Sequence, residues 1–220
     1  RDRSASSPNM SWTSAFGRAC GVLLDTIVRW LALSRINPNV LTFMGLVVNT
    51  WAAILFGSAT ALTQRRLFFY AGLVIIGSGF FDLVDGAVAR ANNRVTRFGA
   101  FFDSVVDRYS DASQFLGLLI FFARGDRFFY VVLTAFVMVS AIMVSYTRAR
   151  AESLIGSCRV GFMERPERLV LVIIGALFNR MAPVLWVIAV LSTLTVIHRM
   201  RYTWTRTQDP LVPAKAGQAA

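Results

Sequence analysis

The sequence predicts an all-α integral membrane protein, six transmembrane helices preceded by an amphipathic helix on the membrane surface. Three observations predict this. Of the 220 residues 55% are hydrophobic, and the mean hydropathy is +0.55, a membrane-like composition. Apolar runs recur at about the ~20-residue length that a bilayer-crossing helix needs. The arginines behind the net charge of +11 sit at the ends of those runs, not on one basic face, which argues against a nucleic-acid partner.

Residues 1–10 are polar, with Arg1, Arg3 and Pro8; they read as a flexible tail without the apolar core of a cleavable signal peptide. From Ser11 to Ser34 apolar residues recur at Phe16, Cys20, Leu23, Ile27 and Trp30, with Arg18, Asp25 and Arg29 on another face. This is the pattern of a helix lying on the membrane or packed on its own protein, and it assigns residues 11–38 to an interfacial helix and linker.

Pro38 then breaks the chain, with Asn37 or Asn39 available as a helix cap. Six spans follow within residues 39–201: Val40 to Leu62, Leu67 to Arg90, Gly99 to Ala123, Phe128 to Thr147, a short one from Leu169 to Phe178, and Pro183 to Ile197. Residues 202–220 form a polar tail. The tails and the second and fourth loops, including a basic loop from Arg148 to Arg168, hold 17 of the 23 basic residues; the other loops hold five. The positive-inside rule therefore puts both termini in the cytoplasm. Cys20 and Cys158 both fall on that side, so no disulfide is expected.

Against this apolar background stand four carboxylates, Asp82, Asp85, Asp103 and Asp107. Ionised acids inside spanning segments carry a large desolvation cost unless cations compensate them, so they mark a functional site. Asp82 and Asp85 are three apart and Asp103 and Asp107 four apart, so each pair projects from one helix face. Two opposed faces make a cage of oxygens suited to Mg2+ or Mn2+, whereas one histidine and two separated cysteines do not suit zinc. Gly86 and Gly99 allow close approach, and Arg90 offers a guanidinium to a phosphate. The competing explanation is a set of buried salt bridges to Arg90, Arg94, Arg97 and Arg108. Asp111 continues the Asp103 and Asp107 face and is expected to pair locally, with Arg108. Gly77-Ser78-Gly79 follows no strand and reads as a helix-packing site, not a dinucleotide fingerprint. His198, at a helix end, reads as interfacial.

The order Asp82, Asp85-Gly86, Ala89-Arg90, Gly99, Asp103, Asp107 fixes eight positions over 26 residues and resembles in full the signature of the CDP-alcohol phosphotransferase family. That resemblance implies a membrane enzyme moving a substituted phosphate from a CDP-linked lipid to an alcohol with release of CMP. It implies two Mg2+ per site, with Mn2+ possible, held by the four aspartates, and Asp107 as proton acceptor. It further implies nucleotide contacts at Asn39, Val40, Leu41, Thr42, Gly86, Arg90 and Thr96, and a homodimer in the cell membrane with its active site toward the cytoplasm.

Ser145 to Glu152 and Glu164 to Leu169 are similar to segments of the bacterial phosphatidylinositol phosphate synthases within that family. This implies CDP-diacylglycerol as donor and inositol phosphate as acceptor, its phosphate held by Arg148, Arg168 and Arg199. Two departures stand out: Arg148 replaces the subgroup's usual lysine, and Ile155-Gly156-Ser157-Cys158-Arg159 replaces a glycine-rich run. Glycerol phosphate or a free polyol is the rival acceptor. An ion or metal transporter is the rival of another class, although no acid continues across spans four to six.

Overall fold

A computed structural model describes residues 37–91 and 96–208, with the backbone alone for residues 38 and 83–91. The expected surface helix and most of the C-terminal tail lie outside the described residues. Six helices follow in order, α1 Pro38–Ser58, α2 Gln64–Ala91, α3 Arg97–Arg124, α4 Phe128–Ile155, α5 Arg165–Leu177 and α6 Met181–Thr207. No strand occurs among the described residues.

Local chemistry sets the ends. Asn37, not Asn39, caps α1: its side chain accepts the Asn39 amide at 3.1 Å, one residue before the Pro38 start. Thr96 caps α3 by accepting the Gly99 amide at 2.9 Å. Two helices run past their apolar stretches. α4 continues to Ile155, where a basic loop was expected, because Arg148 and Glu152 pair at i,i+4 with 3.1 Å between them. α6 continues to Thr207, so the exposed His198 lies within a helix and not at its end.

By length and composition three helices are apolar enough to cross a membrane, α1 from Asn39, α4 and α6. α2 and α3, both 28 residues, are diluted by the acids and arginines they carry. α5 has 13 residues, roughly 20 Å at ~1.5 Å per residue, short of a ~30 Å hydrocarbon core.

α1 packs on α2 and α3, α4 on α3 and α6, and α5 on α2 and α6. A Cβ at Gly117 would lie 2.2 Å from the Ala53 carbonyl oxygen, so α1 and α3 meet backbone to backbone. A Cβ at Gly72 would meet Leu177 and Ala176 of α5 at 3.1 and 3.2 Å. The Gly77-Ser78-Gly79 stretch contributes differently from its expected role. Gly77 faces open space and Gly79 makes an ordinary contact with Leu169, while buried Ser78 accepts from the Asn49 side chain. Gln114 of α3 donates to the same Asn49, tying three helices through one buried amide network. At the end remote from the aspartates the core is aromatic: Phe68 meets Phe56 and Phe121 edge-on, each at 4.9 Å between ring centroids.

Candidate active site

The chain reverses at each connection, so the start of α1, the end of α2, the start of α3, the end of α4, the start of α5 and the end of α6 share one end of the bundle. That end gathers the residues singled out in the sequence. Asp82 comes from α2 and Asp103 and Asp107 from successive turns of α3. Asp85, Gly86 and Arg90 lie on the last turns of α2, and their side chains are outside the described residues.

Asp82 and Asp107 meet on one nitrogen. Arg165 Nη1, from the first turn of α5, lies 2.8 Å from Asp82 Oδ2 and 2.9 Å from Asp107 Oδ1. Asp103 is within electrostatic reach of both Asp82 and Arg165. Burial works against the Arg165 charge, and the Asp107 and Asp82 carboxylates compensate it. Sequence reading looked for compensating cations at Arg90, Arg94, Arg97 and Arg108. Among the described residues the cation between the acids is Arg165, and Arg108 stands only at 3.9 Å from Asp107; Arg94 and the Arg90 side chain lie outside the described residues. Arg165 was present in the quoted Glu164 to Leu169 string as its first arginine, the one signal that could have found it.

Asp111 pairs across the bundle with Arg168 of α5, contrary to the expected local pairing with Arg108. Both partners are buried, and a buried guanidinium without a carboxylate would be costly. Arg108 instead donates to the Ser104 carbonyl one turn back.

The arginines expected at the acceptor phosphate divide into two groups. Arg148 Nη1 and Arg199 Nη2 both donate to Glu164 Oε1, at 2.8 and 2.9 Å. Arg199 also donates to the Val160 carbonyl at 2.9 Å and to the Val144 carbonyl. Arg168 is engaged by Asp111, yet its Nε and Nη1 are buried with no partner among the described residues. Glu164 was no candidate from the sequence. The loop that presents it is fastened to α6: the Met163 amide donates to Thr195 Oγ1 at 3.0 Å. Gly161, at φ 101°, lies against Thr195 where a Cβ would be 2.5 Å from the Thr195 methyl.

At the nucleotide side, α1 and α3 begin next to each other. A Cβ at Gly99 would lie 3.0 Å from Thr96 Oγ1 and 3.5 Å from Asn39 Oδ1, so these two polar side chains flank a glycine-sized gap. Leu41 and Thr42 are buried and Val40 is exposed. Gly45, one turn beyond Leu41, admits the Asp82 carboxylate; a Cβ there would be 3.2 Å from Asp82 Oδ1.

A divalent metal is the group these acids invite. Among the described residues no three acids, histidines or cysteines close into a metal-binding group, and Asp85 is not among them. Carboxylates from two helices nevertheless converge on one cationic group, the Arg165 guanidinium. An all-oxygen donor set already built around a positive charge fits Mg2+ or Mn2+.

At one end of this helical bundle acids of α2 and α3 face arginines of α5. The profile of the CDP-alcohol phosphatidyltransferase family matches residues 35–198, and the chain belongs to that family and is an enzyme of its class. The archaetidylinositol phosphate synthase of Pyrococcus horikoshii is 36% identical over 178 residues, covering 80% of this chain and 88% of its own. The phosphatidylinositol phosphate synthase of Mycobacterium tuberculosis is 37% identical over 209 residues, covering 89% and 93%. A crystal structure of a Mycobacterium tuberculosis phosphatidylinositol phosphate synthase with CDP-DAG bound superposes with a TM-score of 0.74 at 31% identity, over 90% of this chain and 98% of that one. Another, in complex with manganese and citrate, superposes with a TM-score of 0.71 at 30% identity, over 90% and 93%. Family membership answers the transporter alternative in favour of a transferase.

Proposed function

We propose that the protein transfers a phosphatidyl group from CDP-diacylglycerol to a hydroxyl of inositol phosphate, releasing CMP. The observation that carries the acceptor is the pair Arg148 and Arg199 converging on one anionic oxygen, in a segment one residue from the arginine that meets the acids. An anion-binding pair beside a cation-binding acid cluster suits an acceptor that is itself a phosphate. The relatives differ in the lipid their names give, archaetidyl or phosphatidyl, and agree on inositol phosphate.

In this reading Asn39 through Thr42, Gly86, Arg90 and Thr96 hold the nucleotide, and the gap at Gly99 lets it lie close to the backbone. Arg148, Arg168 and Arg199 hold the acceptor phosphate and orient the hydroxyl. Asp82, Asp85, Asp103 and Asp107 would hold two Mg2+, with Mn2+ as a substitute, which when bound supply charge compensation at the pyrophosphate. The acceptor oxygen forms a bond to the lipid-side phosphorus as the bond to CMP breaks, and Asp107 takes the hydroxyl proton. Six spans cross the membrane, the short α5 with flanking residues at both of its ends, both termini and the site face the cytoplasm, residues 11–38 lie at the interface, and the protein works as a homodimer.

The test is CMP release by purified protein supplied with CDP-diacylglycerol and Mg2+, with inositol phosphate, inositol and glycerol phosphate offered separately. Release with inositol phosphate alone is expected. Release with glycerol phosphate alone would reject the acceptor, and undiminished release in chelator would reject the metal.

A further inference from the structure

We infer that Glu164 and Arg165 are paired placeholders, each side chain occupying the position of an ion that displaces it: Arg165 for the divalent cation, Glu164 for the acceptor's phosphate. The inference rests on the proposed reading of the site and adds two residues that reading does not use.

The geometry on each side suits an ion of the same charge as the side chain there. Arg165 Nη1 bridges carboxylates of two different helices, as a hard cation would. Glu164 Oε1 accepts from two guanidinium groups, as a phosphate oxygen would. The two residues are neighbours in the chain, with Cα atoms ~3.8 Å apart, so one short segment spans both halves of the site.

The neighbouring ion pair in the same bundle is enclosed more tightly. Arg168 and Asp111 have side chains only 2% and 10% exposed, whereas Arg165 is 23% exposed and Glu164 36%. The backbone under the pair is held, with the Glu164 amide donating to Glu167 Oε2 at 3.1 Å and Met163 tied to Thr195.

Direct binding tests this apart from turnover. Mn2+ affinity is read by the spin-resonance signal of free Mn2+, and inositol phosphate affinity by calorimetry, for parent protein, R165Q and E164Q. R165Q should bind Mn2+ about tenfold or more tightly than the parent and melt at lower temperature without metal, and E164Q should bind inositol phosphate tighter by a similar factor. Failure of either variant to tighten binding of its ion overturns the pairing. Failure of the parent to bind Mn2+ at all overturns the underlying metal reading, and this inference with it. Should R165Q not fold, the parent decides: arginine-directed dicarbonyl labelling read by mass spectrometry should modify Arg165 faster with Mn2+ than with chelator, and equal rates overturn the inference.

Discussion

The two ends of the bundle solve opposite problems. At one end Phe56, Phe68, Phe121 and Phe122 fill the space between α1, α2 and α3 with buried rings, and the polar groups nearby are matched. Arg124 donates to the Gly57 carbonyl at 2.9 Å and Gln64 to Asn179 at 2.8 Å. At the other end acids and arginines are crowded together, and buried donors of Arg165 and Arg168 have no partner among the described residues. Unsatisfied buried donors destabilise a fold unless a ligand completes them. The difference teaches that one end is closed by packing and matched polar groups while the other keeps charged groups whose hydrogen-bonding capacity is not used up.

Substitutions should separate the two roles. The largest effect is expected from Asp107→Asn, which keeps the shape of the side chain and removes the base. It should fold, retain nucleotide, and lose turnover by about 10²-fold to 10⁴-fold; near-normal CMP release in detergent would remove Asp107 from its role. Next is Gly117→Ala, which forces α1 and α3 apart where a Cβ would lie 2.2 Å from the Ala53 oxygen. It should lower the melting temperature by an amount corresponding to about 1–3 kcal/mol, and it should weaken nucleotide binding too, because α1 and α3 carry Asn39 and Thr96. A melting loss with nucleotide affinity intact would show the two ends to be independent.

Arg148→Ala removes one of the two guanidinium groups on Glu164. It should raise KM for inositol phosphate about tenfold or more while KM for the CDP-lipid stays near the parent value; equal changes in both would place Arg148 outside the acceptor site. Smallest is Thr96→Ala, loss of the α3 cap, expected at about 1 kcal/mol in thermal unfolding. Any larger loss in nucleotide affinity than in stability marks a direct contact.

Much of this architecture was legible in the sequence because apolar length and interruption by Pro38 and by short polar connections are local signals. Helix ends were less legible. α4 and α6 extend past their apolar runs because helical propensity and the Arg148 to Glu152 pair act beyond the membrane-like stretch. The acids were conspicuous as charges in apolar surroundings, but their partners were not. Arg165 and Glu164 sit in a segment rich in charge, and nothing local tells a guanidinium that reaches α2 and α3 from one that meets solvent. The same holds for Asp111, whose partner Arg168 is 57 residues away. The sequence pattern favoured Arg108 only because it is near in the chain.

The central claim is that acids of α2 and α3 form a divalent-cation site at which the transfer takes place. Anomalous scattering from crystals grown with Mn2+ tests it most directly. A manganese peak bounded by Asp82, Asp103 and Asp107, with the Arg165 side chain turned away, is predicted. Crystals active in CMP release that show no such peak, with Arg165 still bridging Asp82 and Asp107, would contradict it.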